Sequence, residues 1–140
     1  MNFVLDASLT MAFILQDEAT ADTDKILDRL GQGAKALAPA LWRWEAGNVL
    51  LMAERRKRIT PAESQRHLTL LQSLPVELDD DAWREAWNAA PLLAREHQLT
   101  LYDAAYLELA MRRGVPLGSL DTDLRKAAKA EGVKLLPEKV

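Results

Sequence analysis

Five short apolar runs, each separated from the next by a longer stretch of helical periodicity, confine this chain to a narrow set of folds. The runs are Asn2 to Leu5, Ala36 to Ala38, Val76 to Leu78, Pro116 to Leu120 and Val133 to Leu136. Between them apolar residues recur at three- and four-residue intervals, as on one face of a helix. Helices are expected from Ser8 to about Gln16, capped by Asp6 or Ser8, and from about Ala19 to Leu30, ending at Gly31 and Gly33. Others run from about Leu41 to Lys57 and from Pro61 to Leu74, forming a helical hairpin closed by Pro75. Asp79 to Asp81 then stand as an acidic cap before a helix carrying Trp83, Trp87 and Leu93. The last two helices cover about Tyr102 to Arg113, stopped by Gly114, and Thr122 to Ala130. The expected order is β-α-α-β-α-α-β-α-α-β-α-β. Strands separated by helices pair in parallel, and a parallel sheet must be covered on both faces. The fold class is therefore α/β, a three-layer sandwich with a mostly parallel central sheet flanked by helices. With 140 residues, 49% of them hydrophobic, residues 1–140 are expected to form one domain around one core.

The chain has no cysteine, which excludes disulfides, thiolate metal sites and thiol nucleophiles and suits a reducing, cytoplasmic setting. The opening MNFVLDASLTMAFILQDE is apolar but has no basic start, and Asp6 interrupts it, so no signal peptide is expected. No stretch is long and uncharged enough to span a bilayer, and no membrane association is expected. The net charge of −3 argues against binding nucleic acid through bulk charge. Four carboxylates held by metal would remove that acidic excess, so charge alone does not exclude RNA.

Four acids could be such ligands. Asp6 and Asp121 each end an expected strand, Glu45 lies one turn into the helix after the second strand, and Asp103 opens the helix near Tyr102. All four fall toward the carboxyl edge of the sheet, where open α/β sheets bind ligands. An acid at a helix start also serves as a simple cap, and position alone does not separate the two roles. Apolar context favours a site: Asp6 follows Phe3-Val4-Leu5, Asp103 sits within LTLYDAAYLELA, and Asp121 follows Val115-Pro116-Leu117. Carboxylates gathered near buried surface take up protons unless a cation offsets their desolvation. Oxygen ligands without His or Cys select a hard ion, Mg²⁺ or Mn²⁺ rather than Zn²⁺. Carboxylate-held Mg²⁺ polarises a phosphoryl oxygen and stabilises the leaving oxygen, which suffices for phosphodiester hydrolysis without a protein nucleophile.

The segments FVLDASLTMAFIL, PALWRWEAGNVL, LTLYDAAYLELA and LGSLDTDLRKAA together resemble the PIN-domain ribonucleases, and among them the VapC toxins of bacterial toxin–antitoxin pairs. The resemblance covers essentially the whole chain, with the motifs in family order. It implies a PIN-like fold and a metal-dependent endoribonuclease whose acidic quartet is Asp6, Glu45, Asp103 and Asp121, with Asp6, Asp103 and Asp121 as metal ligands and Mg²⁺ or Mn²⁺ as cofactor. It further implies auxiliary positions at Ser8, the hydroxyl after the first acid, at Asn48, which would orient Glu45 or a metal water, and at Asp123. The implied partners are an RNA substrate, a VapB-like antitoxin whose tail lies between the early helices, and a second copy of the chain. Gly118-Ser119 departs from the pattern, standing where many relatives carry a bulkier residue and a threonine.

Other features divide between function and structure. The basic run Arg55, Arg56, Lys57 and Arg58 serves equally well to guide RNA phosphates or to complement a helix terminus. Trp42, Trp44, Trp83 and Trp87 fit core or interface packing better than base stacking. Met11, Ile14, Leu15, Leu50 and Leu51 line the antitoxin groove or fill the core. His67 and His97 are expected at the surface, unpaired. Against the nuclease stand a housekeeping RNA-processing enzyme of the same family, a non-catalytic RNA- or partner-binding module, and a phospho-acceptor signalling domain. The last needs an acidic pair after the first strand and a Lys ending a late strand, and Asp6-Ala7-Ser8 supplies no such pair.

Overall fold

The computed structural model of the chain describes residues 2–140. Five parallel strands, β1 (Phe3–Leu5), β2 (Ala36–Pro39), β3 (Val76–Asp79), β4 (Leu117–Gly118) and β5 (Leu135–Leu136), form one sheet in the order β3-β2-β1-β4-β5. The chain winds outward from the central β1 through β2 to β3, then returns across the sheet to β4 and β5. The winding reverses between β1 and β4, and the carboxyl ends of the two strands at such a switch point open a crevice.

Right-handed crossovers put the connections of the two halves on opposite faces. On one face lie α1 (Ala7–Ile14), α2 (Ala21–Gly31), α3 (Leu41–Arg55) and α4 (Pro61–Ser73), with α1 touching the other three. The other holds α7 (Leu101–Arg113), packed across β1, β2 and β4, and beside it α8 (Thr122–Ala130); α6 (Ala89–His97) lies outside α7. The sheet is the middle of three layers, as expected. Its centre is dry: Phe3, Val4, Leu5, Leu107, Leu109 and Leu117 are wholly buried. No helix among the described residues is long and apolar enough to cross a membrane.

The helix starts follow local chemistry. Thr20 and Thr60 close capping boxes with Thr23 and Glu63, and Pro61 takes the first-turn position where its missing N–H costs nothing. Asp6 and Asp121 cap α1 and α8, so α1 begins at Ala7 and both acids lie just past their strands rather than within them. Gly114 ends α7 in the left-handed conformation at φ 64°. At Gly118 the constraint is space: a Cβ there would stand 2.7 Å from Leu9 Cδ2 and 3.0 Å from the Val4 carbonyl oxygen, so a larger residue has no room in this sheet.

Several expectations are overturned. The helix expected after β3 is two helices, α5 (Ala82–Glu85) and α6, broken at Asn88. Pro91 is the reason, because in a continuous helix its ring would collide with the carbonyl of Trp87; in α6 it falls in the first turn, where proline is tolerated. The acidic triplet is not a cap. Asp79 instead receives Arg112 Nη2 at 2.8 Å and Arg113 Nη1 at 3.3 Å, and Asp81 makes no capping bond. Trp42 is core and donates its indole N–H to Thr10 Oγ1 at 2.9 Å, but Trp44, Trp83 and Trp87 are 82%, 71% and 93% exposed. Met11, Ile14, Leu15 and Leu50 fill the core, and Leu51 alone of that set is exposed.

Candidate active site

The crevice at the switch point is where β1 and β4 deliver their following residues. Asp6, buried to 4% exposure, caps α1 by accepting the Leu9 N–H at 2.9 Å. Ser8 Oγ lies 2.7 Å from its Oδ1, and Ser119 Oγ donates to its Oδ2 at 2.5 Å. Ser119 Oγ in turn accepts the Asp121 N–H at 3.0 Å, while Ser8 Oγ accepts the Leu120 N–H at 2.8 Å. Two serines therefore stitch the end of β4 onto the acid that follows β1. Ser119 thus places a hydroxyl on Asp6.

Glu45, half-buried on α3, accepts a hydrogen bond from Tyr106 Oη at 2.5 Å, and Tyr106 rises from the middle of α7 on the opposite face of the sheet. Asp103 lies in the first turn of α7, its N–H bonded to the Thr100 cap at 3.1 Å. Asp121 accepts the Leu124 N–H with Oδ2 at 2.9 Å. Asp6 and Asp121 are thus caps and cluster members at once.

The electrostatics join the four into one group. Burial pushes Asp6 up from 3.8 to about 6 against the bonds from Leu9, Ser119 and Ser8, with Asp121 adding to the rise. Burial also raises Glu45, and Asp103 and Asp6 add to it. Asp103 is raised by burial and by Asp121 and Asp123. The Tyr106 phenol is held far above its ordinary range by burial and by Glu45, so it remains a donor at every working pH.

The oxygens do not meet at one point. Among the described residues, the ligand atoms that lie within 4.8 Å of one another are those of Glu96, His97 and Glu131, at the far ends of α6 and α8. That group is organised by a bond of 2.6 Å between His97 Nε2 and Glu131, so His97 is paired rather than free at the surface. His67 is also half-buried, with Nδ1 enclosed and without a hydrogen-bond partner among the described residues. No three of the quartet's oxygens lie within 4.8 Å of one another among the described residues, and an ion among them would complete its shell with water, as Mg²⁺ does.

Of the auxiliary positions, Ser8 bonds Asp6, and exposed Asp123 acts on Asp103 through charge. Asn48 is exposed and makes no hydrogen bond to Glu45 among the described residues. Two contributors escaped sequence analysis. Tyr106 falls among the apolar residues of α7, and its distance of 61 residues from Glu45 left no signal. Arg125 donates to the Ser119 carbonyl at 2.8 Å and braces the β4–α8 turn. The basic run fares differently: Arg58 binds Asp17 at 2.6 Å, and Arg55 stands ten residues beyond Glu45, about 15 Å along α3. The run lies at the end of α3.

Tyr106→Phe removes the one bond that holds Glu45. Its carboxyl then rises further, and the activity proposed below is expected to fall about tenfold, the lower end for a residue that orients a metal-site carboxylate. An unchanged pH–rate profile and rate would show that Glu45 needs no such support.

A parallel three-layer sheet with an all-carboxylate cluster at its switch point defines an α/β protein whose site suits a hard cation. The sequence pattern of the PIN domain matches residues 3–130, and the chain belongs to that family. It is 29% identical over 124 residues to Ribonuclease VapC3 of Pyrobaculum aerophilum, covering 89% of this chain and 92% of the relative. The crystal structure of PAE2754 from Pyrobaculum aerophilum superposes with a TM-score of 0.69 at 28% identity, over 98% of this chain and 93% of that one. VapBC2 from Rickettsia felis, bound to a DNA fragment from its promoter, shares the fold at 11% identity, with a TM-score of 0.66 over 96% and 97% of the chains.

Proposed function

We propose that this chain is a divalent-metal-dependent endoribonuclease, the toxin of a VapBC-type pair, acting as a single domain over residues 1–140. The observation that carries the proposal is the coupled quartet Asp6, Glu45, Asp103 and Asp121 at the switch point of a PIN-family sheet. The names of its relatives, a VapC ribonuclease and toxin–antitoxin complexes, support it. Asp6, Asp103 and Asp121 would hold Mg²⁺ or Mn²⁺, with Glu45 positioned by Tyr106 beside them. The donor set fits that ion, because all its atoms are oxygen and a buried carboxylate raised to about 6 needs a cation to stay charged. When bound, the ion supplies Lewis acidity toward the scissile phosphoryl group. The protein's own part is to fix the acids: Ser8 and Ser119 hold Asp6, the α8 cap holds Asp121, and Glu45 stands ready to accept a proton from an attacking water.

An RNA substrate, a VapB-like antitoxin and a second copy of the chain belong to the same proposal. Exposed Trp44 and Leu51 on α3 offer the antitoxin an apolar strip beside Glu45. Purified protein is expected to cut a pool of structured RNA with Mg²⁺ or Mn²⁺ and to stop in EDTA. Equal cutting in EDTA would overturn the metal site, and no cutting of any RNA by folded, partner-free protein would favour a non-catalytic binding module.

A further inference from the structure

A cavity of about 590 Å³ opens between α8 and the C-terminal tail, lined in part by the chain neighbours of Asp121. Leu120 and Thr122, the neighbours of Asp121 on either side, form its inner wall; Arg125, Lys126 and Lys129 of α8 and Lys139 of the tail supply four cations. Glu138 is the one acidic side chain in the lining. In a chain of net charge −3, this is a local reversal of sign at the rim of the site.

None of the four cations makes an ion pair among the described residues. Arg125 and Lys129 stand one turn apart on α8, an unfavourable like-charge spacing. The helix dipole rewards cations in the last turn, as for Lys129, and disfavours them near the start, where Arg125 lies. Arg125 is nevertheless fixed, with Nη1 on the Ser119 carbonyl at 2.8 Å and Nη2 on the Glu138 carbonyl at 3.2 Å, and its charge acts on Asp6.

We propose that this cavity seats the phosphodiester backbone of RNA flanking the cut, a role that rests on the ribonuclease assignment above. Carboxylates at the site repel the substrate's phosphates. A cationic wall that begins at Arg125, one helical turn past Asp121, offsets that repulsion and sets the side from which the strand enters. Arg55–Arg58 are the more conspicuous basic run along the chain; the fold brings a different set of cations to the crevice.

The test compares wild type with two triple variants, Lys126→Gln/Lys129→Gln/Lys139→Gln and Arg55→Gln/Arg56→Gln/Lys57→Gln. A labelled single-stranded RNA is titrated by fluorescence anisotropy in EDTA from 50 to 200 mM salt, and cleavage kinetics are followed with Mg²⁺. The first variant should flatten the slope of log K against log salt by about 2, at ~0.7 for each phosphate no longer neutralised, and should raise KM with kcat held. The second should match wild type. Wild-type slope and KM in the first variant, with metal-dependent cutting intact in all three proteins, would overturn the cavity's role and leave the ribonuclease standing. Failure of wild type to bind or cut any RNA would overturn both.

Discussion

Asp6→Asn is expected to abolish RNA cleavage while making the metal-free protein more stable. The loss of activity should be about a thousandfold, the scale on which removing a preorganised charge from a polar site acts. The gain in stability follows from the sign of the shift. Folded, Asp6 keeps its proton to about 6; its reference value is 3.8. Its contribution to stability is therefore present below about 3.8 and is lost as pH rises through about 6. A displacement of that size corresponds to about 3 kcal/mol. Asparagine still offers an oxygen to the Leu9 N–H and carries no charge to bury, so above pH 6 the variant should unfold later in urea by up to that amount. At pH 3.5 the two proteins should be nearly equal. Saturating Mg²⁺ should narrow the difference at neutral pH, because the ion stabilises the wild type selectively. A variant less stable than wild type at pH 8 without metal would show that the serine bonds outweigh burial.

Arg112→Ala should produce the largest loss of stability of any surface-accessible change. Arg112 binds Asp79 at 2.8 Å and Glu108 at 2.8 Å, and these two carboxylates are 3% and 6% exposed. Deleting the cation strands two buried charges, at a cost of about 3–5 kcal/mol. Arg113 reaches Asp79 at 3.3 Å and should temper the loss. The pairing holds the Asp79 carboxyl below the usual range, so its contribution is present above about 4 and lost as pH falls through that lowered value. In the variant Asp79 takes up a proton more readily, and the deficit should shrink between pH 7 and pH 4.5. Urea unfolding at the two pH values measures this; an equal deficit at both would mean that lost packing of the Arg112 stem, rather than stranded charge, is responsible. Because the network ties β3 to the end of α7, whose first turn carries Asp103, loss of activity on mild warming should accompany the loss of stability.

Much of this protein is written in short stretches of chain. The alternation of apolar runs with helical stretches determines the element order, and the caps at Asp6, Thr20, Thr60, Thr100 and Asp121 set where helices begin, because both signals act within four residues. The four candidate acids were legible for the same reason, each standing beside a local boundary, and Asp6, Asp103 and Asp121 in an apolar setting. Where one local signal misleads, as with the spacing of Trp83 and Trp87, a nearer local fact, Pro91, decides the outcome. What only the tertiary structure decided are the partners of those acids. Ser119 meets Asp6 across 113 residues, Tyr106 meets Glu45 across 61, and Arg112 meets Asp79 across 33. Strand order and crossover hand bring these groups together. A hydroxyl or guanidinium carries no local mark of the carboxylate it will meet, since a hydrogen bond depends on distance in space and the periodicity of a sequence encodes only distance along the chain.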